Sequence, residues 1–211
     1  MSRPDARRTR FVGRIAGLGS TSGVRVVIGR WDSSPWGPFA DLMVEDADGH
    51  RVLVAPDERV RDFVSATYNF DEQVIAPVQV GGDAVWQVTS PLLELRLTVG
   101  GVTPLGRALR AIPARLATSP AWCAATDPVA RVALRGVRTR GTAGGGRREW
   151  YGATSMSAVI AAEGRWRGTD LGTLAPVDPP CRFGFSSTPR RPSVTSVVTT
   201  IDIPPHGRIG A

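Results

Sequence analysis

Alternation of apolar and polar residues is the main pattern in the first half of the chain. It is clearest in 93–99, where leucine and valine alternate with Glu94, Arg96 and a threonine. This is the pattern of a strand with one buried face. Similar runs predict strands at 10–16, 24–31, 39–45, 50–55, 73–80 and 84–89. The segment 46–49, Asp-Ala-Asp-Gly, predicts a hairpin turn with glycine where a positive φ is needed.

Helical periodicity is limited to short segments. Residues 56–58, Pro-Asp-Glu, have the composition of a first helical turn, and apolar residues follow them at helical spacing. A second helix is predicted for 103–116, where Pro113 kinks or ends it. The segment 127–136 fits either a short helix capped by Asp127 or a strand.

The remainder of the chain is again rich in β-branched residues between turns. Residues 137–142 and 147–161 predict a long hairpin around the glycines at 144–146, and 193–203 predicts a final strand. About ten short strands with few helices indicate a mostly β, α+β fold. We therefore expect a single-domain, curved antiparallel β-barrel with a central cavity of the kind that holds a small ligand.

The domain organisation follows from the absence of internal repeats and of breaks in composition. One domain is predicted at 10–203, between a flexible, arginine-rich tail at 1–9 and a flexible C-terminal tail at 204–211. No apolar run is long enough to cross a membrane, and the first residues lack the apolar segment of a signal peptide. These features predict a cytoplasmic protein with no membrane partner.

Every basic residue of the chain is an arginine. The 211 residues include 26 arginines and no lysine, with a net charge of +7. This excludes a lysine Schiff base, a lysine general base and a phosphate-binding loop built on lysine. A GC-rich genome and repeated recognition of anions both explain the bias. The chain has two cysteines and two histidines and no cofactor-binding motif, so no metal and no cofactor are predicted.

The segment 34–39, Ser-Pro-Trp-Gly-Pro-Phe, combines residues that make a rigid corner. Its prolines fix φ and lack a backbone donor, its glycine allows close approach of the backbone, and its aromatic side chains offer packing surface. Two interpretations follow. The corner is either a well-packed turn between strands or one wall of the barrel cavity, formed by Trp36 and Phe39.

This segment, followed by Asp41 and Leu42, resembles the Ser-Pro-Tyr-Gly-Pro-Tyr, one residue, Glu-Leu sequence of the acetoacetate decarboxylase-like superfamily. The resemblance covers residues 34–42 and implies a curved β-barrel with a central cavity. Decarboxylases of that family form a Schiff base through a lysine, so that reaction is excluded for this chain. The family's glutamate corresponds to Asp41, which the resemblance suggests as a group that binds or protonates a ligand. Alternatively, Asp41 is a solvated or salt-bridged strand residue, because it shares a strand face with Met43 and Glu45.

The leading hypothesis is binding of a small organic acid or carbonyl compound in a barrel cavity. Trp36 and Phe39 would form the wall, Asp41 would be the catalytic acid/base group, and Arg30 would pair with an anion. If the ligand is turned over, the reaction would be a lysine-independent lyase or isomerase step on a small carbonyl acid. Arg30 has a simpler interpretation too, as a residue at a strand end that reaches water.

A second hypothesis concerns the late hairpin, which is rich in arginine and aromatic residues. They are Arg138, Arg140, Arg147, Arg148, Arg165 and Arg167, with Trp150, Tyr151 and Trp166 between them. This composition suits a basic binding module that contacts nucleic acid or another polyanion. It equally fits a solvated basic face, since no nucleic-acid-binding motif accompanies it. A structural or partner-binding domain without a small-molecule site is the third alternative.

Overall fold

The computed structural model describes residues 7–133, 137–143, 147–184 and 188–203. Within these residues the chain forms thirteen strands and four helices. The strands are β1 (Arg7–Ser20), β2 (Arg25–Ser33), β3 (Phe39–Glu45), β4 (Arg51–Ala55), β5 (Glu72–Ile75), β6 (Gln79–Gly81), β7 (Val85–Thr89), β8 (Leu93–Val102), β9 (Arg140–Ala143), β10 (Arg147–Trp166), β11 (Thr169–Asp170), β12 (Leu174–Ala175) and β13 (Ser193–Ile203). The helices are α1 (Glu58–Ser65), α2 (Pro104–Arg110), α3 (Ala114–Ala117) and α4 (Pro120–Ala133).

All strands belong to one sheet. Its order is β5-β4-β3-β2-β1-β13-β10-β8-β7-β6, with β9 and β11 paired to β10 and β12 paired to β1. Strands β4 and β5 are parallel, and the other pairs are antiparallel. The sheet is curled and open, so the predicted mostly β, α+β fold with a curved, barrel-like sheet is confirmed.

Strand β10 explains much of the curl. Its 20 residues pair with β13 in the first half and with β8 in the second half. Register shifts occur between Ala153 and Ser155, and twice more between Ser157 and Ala161. Each such irregularity bends a strand and increases its twist. The strand therefore turns from one part of the sheet to the other while remaining continuous.

Both faces of the central strands are buried, and different sets of side chains cover them. Alternate residues of a strand point to opposite faces. The core face carries an apolar cluster that joins both ends of the sheet, including Val26, Ile28, Leu42, Val44, Trp86 and Leu97. The opposite face, which we call the cavity face, includes Val27, Asp41 and Met43, and α1 packs against it through Val60 and Phe63.

Several local predictions are confirmed. A helix begins close to the predicted 56–58, since α1 starts at Glu58. Asp57 is the cap of this helix rather than part of its first turn, because its carboxylate accepts a hydrogen bond from the Val60 amide at 2.9 Å. Strands β3 and β4 form the predicted hairpin, and Gly49 in its turn has a φ of 87°. Thr103 caps α2 through the Gly106 amide, and the helical stretch is interrupted before Pro113.

Other boundaries differ from the predictions. The predicted tail at 1–9 overlaps β1, which begins at Arg7 because 7–9 pair with the end of β13. The predicted strand at 73–80 is divided into β5 and β6. The tips at 1–6, 144–146 and 204–211 lie outside the described residues. No helix within the described ranges is both long enough and apolar enough to cross a membrane.

The segment 127–133 is helical and belongs to α4, which begins at Pro120. Asp127 does not cap this helix, because Ser119 accepts the hydrogen bond from the Trp122 amide at its start. The Asp127 carboxylate instead accepts the Thr139 amide at 2.9 Å and lies 3.2 Å from Arg138 Nε. It therefore fixes the chain that follows the helix.

Candidate functional site

A cavity with two chambers lies on the cavity face of the sheet. The small chamber has a volume of about 70 Å³ and is lined by Phe39, Asp41, Phe63, Thr67, Glu149 and Thr199. The large chamber has a volume of about 130 Å³ and is lined by Gly17, Ala153, Phe183, Thr188, Thr195 and Val197. Both chambers share Ile15, Val27, Met43, Tyr68 and Tyr151. They are thus adjacent parts of one site.

Asp41 lies on β3 in the wall of the small chamber, where only 5% of its surface is exposed. Trp31 Nε1 donates a hydrogen bond of 2.9 Å to Asp41 Oδ1. Gly29 is the cross-strand partner of Asp41, and a Cβ atom at Gly29 would overlap both groups of this hydrogen bond. Burial raises the pKa of Asp41 to about 7, although the Trp31 hydrogen bond lowers it. The carboxyl group can therefore gain or lose a proton near neutral pH.

Glu149 is a second buried carboxyl group in the small chamber, with 2% of its surface exposed. Thr67 Oγ1 and the Tyr151 hydroxyl each donate to it at 2.7 Å. Burial raises the pKa of Glu149, while these hydrogen bonds and the charge of Arg147 lower it. The carboxyl group is thus held by hydroxyl groups within a largely apolar wall.

The Tyr68 and Tyr151 hydroxyl oxygens are 2.7 Å apart at the junction of the two chambers. Burial and the charge of Glu149 raise the pKa values of both tyrosines, so both hydroxyls keep their protons at neutral pH. Together with Glu149 they form a continuous hydrogen-bonded chain along the wall.

Thr199 supplies an unsatisfied hydroxyl group to the small chamber. It is 4% exposed, and its Oγ1 has no hydrogen-bond partner among the described residues. Thr188 Oγ1 is in the same condition in the large chamber, again within the part of the chain that the structure describes. A buried polar group without a partner is costly, so each hydroxyl is a ready partner for a bound molecule.

The structure places the residues proposed from the sequence in three different positions. Asp41 and Phe39 line the small chamber. Trp36 lies one layer behind, in edge contact with the Phe63 ring at 5.0 Å between centroids. The segment 34–39 forms the rigid corner that its sequence predicts, since Ser34 Oγ accepts a hydrogen bond from the Trp36 amide and donates one to the Gly37 carbonyl.

Arg30 is not in the cavity, which corrects the expectation that it pairs with a ligand there. Its position on β2 points it toward the core face, where its guanidinium lies 5.5 Å from the Trp86 ring centroid. It donates a hydrogen bond to the Gly82 carbonyl and lies near Asp83. Because strand residues alternate, Arg30 and Asp41 belong to opposite faces of the sheet.

Sequence reasoning missed Glu149, Tyr151 and Thr199 as site residues. Tyr151 is the cross-strand partner of Thr199, so pairing of β10 with β13 brings them together. A signal was available, because Glu149, Tyr151 and Ala153 alternate along a predicted strand and must share one face. The surrounding arginines hid this signal by suggesting a solvated surface.

The predicted basic stripe is divided between different regions. Arg147 is 7% exposed and its guanidinium lies 5.2 Å from the Phe63 ring centroid. Arg165 and Arg167 lie at the opposite end of the long strand β10, and Arg167 pairs with Glu72. Arg148 is exposed and packs over Trp150, whose ring Arg8 also approaches. Arg138, Arg140 and Arg148 line a common groove with Trp150. The late hairpin therefore brings together three of the six arginines, and the other three lie elsewhere.

No group of three or more histidine, cysteine, aspartate or glutamate side chains in the described ranges is arranged to hold a metal ion. The polar groups of the small chamber are carboxyl and hydroxyl groups, which suit hydrogen bonding and proton transfer. Chemically, the site offers proton donors and acceptors inside an apolar wall.

No family model, no curated protein and no solved structure matched the chain. The resemblance of residues 34–42 to the acetoacetate decarboxylase-like superfamily therefore stays a prediction that rests on those residues.

Proposed function

We propose that this protein binds a small carbonyl compound in the cavity, with Asp41 and Thr199 as its polar partners in the small chamber. One observation carries the proposal. A carboxyl group with no ion-pair partner and a hydroxyl group with no hydrogen-bond partner, both among the described residues, line the same chamber. Thr199 can donate to a carbonyl oxygen, and Asp41 can exchange hydrogen bonds or protons with the atoms beside it.

The charges around the cavity favour an uncharged ligand over the organic acid that the sequence also suggested. Asp41 and Glu149 are both carboxyl groups, and the described residues of the small-chamber wall include no guanidinium group to pair with a buried anion. The charge of Arg147 acts on Glu149, but Arg147 does not line this chamber. Arg30 lies on the other face of the sheet, and Arg138, in the wall of the large chamber, is paired with Asp127. A neutral carbonyl compound avoids this electrostatic penalty.

The volume of the cavity limits the size of the ligand. The chambers measure about 70 and about 130 Å³. For comparison, an apolar cavity of about 150 Å³ holds a benzene molecule. Ketones such as cyclohexanone and acetophenone are therefore of suitable size when they occupy both chambers.

Thermal denaturation with added ligand tests this function. We expect cyclohexanone or acetophenone to stabilise the protein, by about 2.7 kcal/mol at a hundred times the dissociation constant, and benzoate to have little effect. Asp41→Asn and Thr199→Val should weaken ketone binding. Thr98→Val makes the same chemical change on β8, outside the walls of both chambers, and is the matched control for Thr199→Val. Binding of benzoate alone, or ketone binding unchanged in both small-chamber variants, would contradict the proposal.

A polyanion-binding surface is the second candidate, and one observation favours it. Arg8, Arg10 and Arg115 line a common groove on the surface, with Thr118 and Thr200 beside them. Guanidinium groups in a groove suit the phosphates of a single-stranded nucleic acid. Fluorescence anisotropy with a labelled oligonucleotide would test it. Binding should weaken steeply with salt and in an Arg10→Gln, Arg115→Gln double variant, whereas ketone binding should not respond to either change.

A further inference from the structure

The face of the sheet opposite the small chamber carries exposed arginines at one end. On β1, β10 and β13, the residues that line the small chamber include Phe11, Glu149, Tyr151, Thr199 and Ile201. Because strand residues alternate, the even-numbered residues at this end of the sheet point to the opposite face. We give the name arginine face to these residues and their partners on β9, which are Arg8, Arg10, Arg140, Thr142, Arg148, Trp150, Thr200 and Asp202.

Strand pairing arranges the arginine face in two rows that cross four strands. One row has successive partners on β1, β13, β10 and β9, which are Arg10, Thr200, Trp150 and Arg140. The adjacent row has successive partners on the same strands, which are Arg8, Asp202, Arg148 and Thr142. Neighbouring strands are about 4.8 Å apart, so each row extends about 14 Å. This is the length of about four stacked nucleotides, at about 3.4 Å for each nucleotide.

Two grooves meet at Trp150 on the arginine face. The first groove has a volume of about 570 Å³, and its guanidinium groups are those of Arg8, Arg10 and, on α3, Arg115. The second groove has a volume of about 370 Å³ and is lined by Trp150 together with Arg138, Arg140 and Arg148. The Arg8 guanidinium joins the grooves, since it lies 5.9 Å from the Trp150 ring centroid. Clefts of about 300–1,000 Å³ hold small organic molecules, so each groove is large enough for a nucleotide.

The cations of the two grooves outnumber the carboxylates. Asp202 is the only carboxylate of the arginine face, and it accepts hydrogen bonds of 2.7 and 2.9 Å from Arg8 and lies 3.8 Å from Arg148. In contrast, no carboxylate of the described residues forms an ion pair with Arg10, Arg115 or Arg140. All three are exposed, so their guanidinium groups can bind phosphates without breaking an ion pair.

Trp150 and the two arginines beside it form a surface on which a flat group can stack. The guanidinium groups of Arg8 and Arg148 lie 5.9 and 5.7 Å from the Trp150 ring centroid, and both approach Asp202. Nucleic-acid bases stack on aromatic rings and on guanidinium planes. In a duplex the bases are paired and stacked on each other, so such a surface favours an unpaired strand.

We propose that the arginine face binds a single-stranded nucleic acid across both grooves, with a base stacked on Trp150 and its two neighbouring arginines. Arg10 and Arg115 would bind phosphates on one side of Trp150, and Arg140 would bind a phosphate on the other side. This inference rests on the polyanion-binding surface proposed above as the second function, and it extends that surface to the second groove. It is independent of the ketone site, which lies on the other face of the sheet.

The stacking contact is tested by fluorescence anisotropy with a labelled strand of about ten nucleotides and an abasic strand of the same length and charge. We expect the abasic strand to bind about tenfold more weakly, because it has no bases to stack. Trp150→Leu should weaken binding of the normal strand by a similar factor and leave binding of the abasic strand unchanged. Trp150→Phe keeps an aromatic ring and should retain most of the affinity.

The second groove is tested by the salt dependence of binding. Each phosphate that a protein neutralises on a single strand contributes about 0.7 to the slope of log K against log salt concentration. Arg140→Gln should therefore weaken binding and lower this slope by about 0.7. Arg165→Gln removes the same charge from an exposed position at the far end of β10, outside both grooves, and is the matched control. It should leave the slope unchanged.

The outcomes separate this inference from the polyanion-binding function on which it rests. Loss of binding in the Arg10→Gln, Arg115→Gln double variant, with no effect of Arg140→Gln or Trp150→Leu, would overturn the inference and leave the first groove as a polyanion site. Equal binding of the normal and abasic strands would mean recognition by charge alone and would also overturn it. Absence of binding to either strand would overturn both proposals.

Discussion

Two buried carboxyl groups on the cavity face of β3, at opposite ends of the strand, illustrate two different uses of a buried charge. Glu45 is fully buried, and Arg182 Nε lies 2.9 Å and Arg25 Nη2 lies 3.3 Å from its Oε1. Asp41 accepts a hydrogen bond from Trp31 and has no ion-pair partner within the described residues. The paired group stabilises the fold, whereas the group without a cation is free to titrate and to meet a ligand.

Glu45 and Asp41 differ in their hydrogen bonds in the same way as they differ in their ion pairs. Around Glu45, the Arg182 amide donates a further hydrogen bond of 2.7 Å to Oε2, so most of the acceptor capacity is used. Asp41 faces the small chamber, and the Thr199 hydroxyl in the same wall has no hydrogen-bond partner among the described residues. Buried polar groups whose hydrogen bonds are all made indicate a structural site, and buried polar groups with unmade hydrogen bonds indicate a candidate functional site.

Loss of the paired carboxylate should have the largest effect. Glu45→Gln leaves the Arg25 guanidinium buried, at 6% exposure, without a compensating charge. We expect the free energy of unfolding to fall by about 3–5 kcal/mol, measured by urea denaturation at neutral pH. Arg190→Gln removes the exposed ion pair with Asp178 and should cost less than about 1 kcal/mol. Equal effects of the two variants would mean that the buried ion pair is no more important for stability than the exposed one.

Asp41→Asn should raise the free energy of unfolding, whereas Glu45→Gln lowers it. The pKa of Asp41 is raised from 3.8 to about 7, so the unfolded chain releases this proton at a lower pH than the folded protein does. Between about pH 4 and 7 the unfolded state therefore binds fewer protons, and this group lowers the free energy of unfolding as pH rises. At 1.36 kcal/mol for each pKa unit, the variant should be more stable at pH 8 by up to about 4 kcal/mol.

Denaturation of both proteins at pH 4 and at pH 8 measures this effect. The stability difference attributable to ionisation should be absent at pH 4 and fully developed at pH 8. The same variant should lose ketone binding, since stability and function oppose each other at this position. A difference that does not change with pH would show that Asp41 has an ordinary pKa.

Thr199→Val should give a smaller gain in stability together with weaker ketone binding. Valine has nearly the same shape and removes the buried hydroxyl that lacks a partner among the described residues. The free energy of unfolding should rise by about 1–3 kcal/mol, the cost of an unsatisfied polar group. Urea denaturation and calorimetric titration with cyclohexanone measure the two effects. A loss of stability would mean that the hydroxyl is satisfied in the folded protein.

The fold could be predicted from the sequence where its causes are local. The alternation in β3 and β8 and the starts of α1 and α2 depend on neighbours in the chain, and these predictions agree with the structure. The change of partner along β10 depends on which strands lie beside it. The predicted strand accordingly ended at 161, whereas β10 continues to Trp166.

The site was less predictable, because its contacts join distant parts of the chain. On β3, Asp41, Met43 and Glu45 alternate with apolar residues and resemble a solvent face. Burial of Glu45 depends partly on Arg182, which is 137 positions away. Alternation along the predicted strand 147–161 places Glu149 beside Tyr151, but Thr67, which donates to Glu149, and β13, which carries Thr199, come from other parts of the chain. The sequence therefore identified Asp41 through the resemblance of its segment rather than through its surroundings.

Arg30→Gln should have the smallest effect, and it tests whether the two faces of the sheet are independent. The Arg30 guanidinium packs over Trp86 on the core face with part of its side chain exposed, a contact worth about 0.5–1 kcal/mol. We expect a loss of stability within that range and no change in ketone affinity, because the intervening sheet separates Arg30 from the chamber. Calorimetric titration with cyclohexanone measures the affinity. Weaker binding in this variant would place Arg30 in communication with the ligand and would mean that the two faces do not act separately.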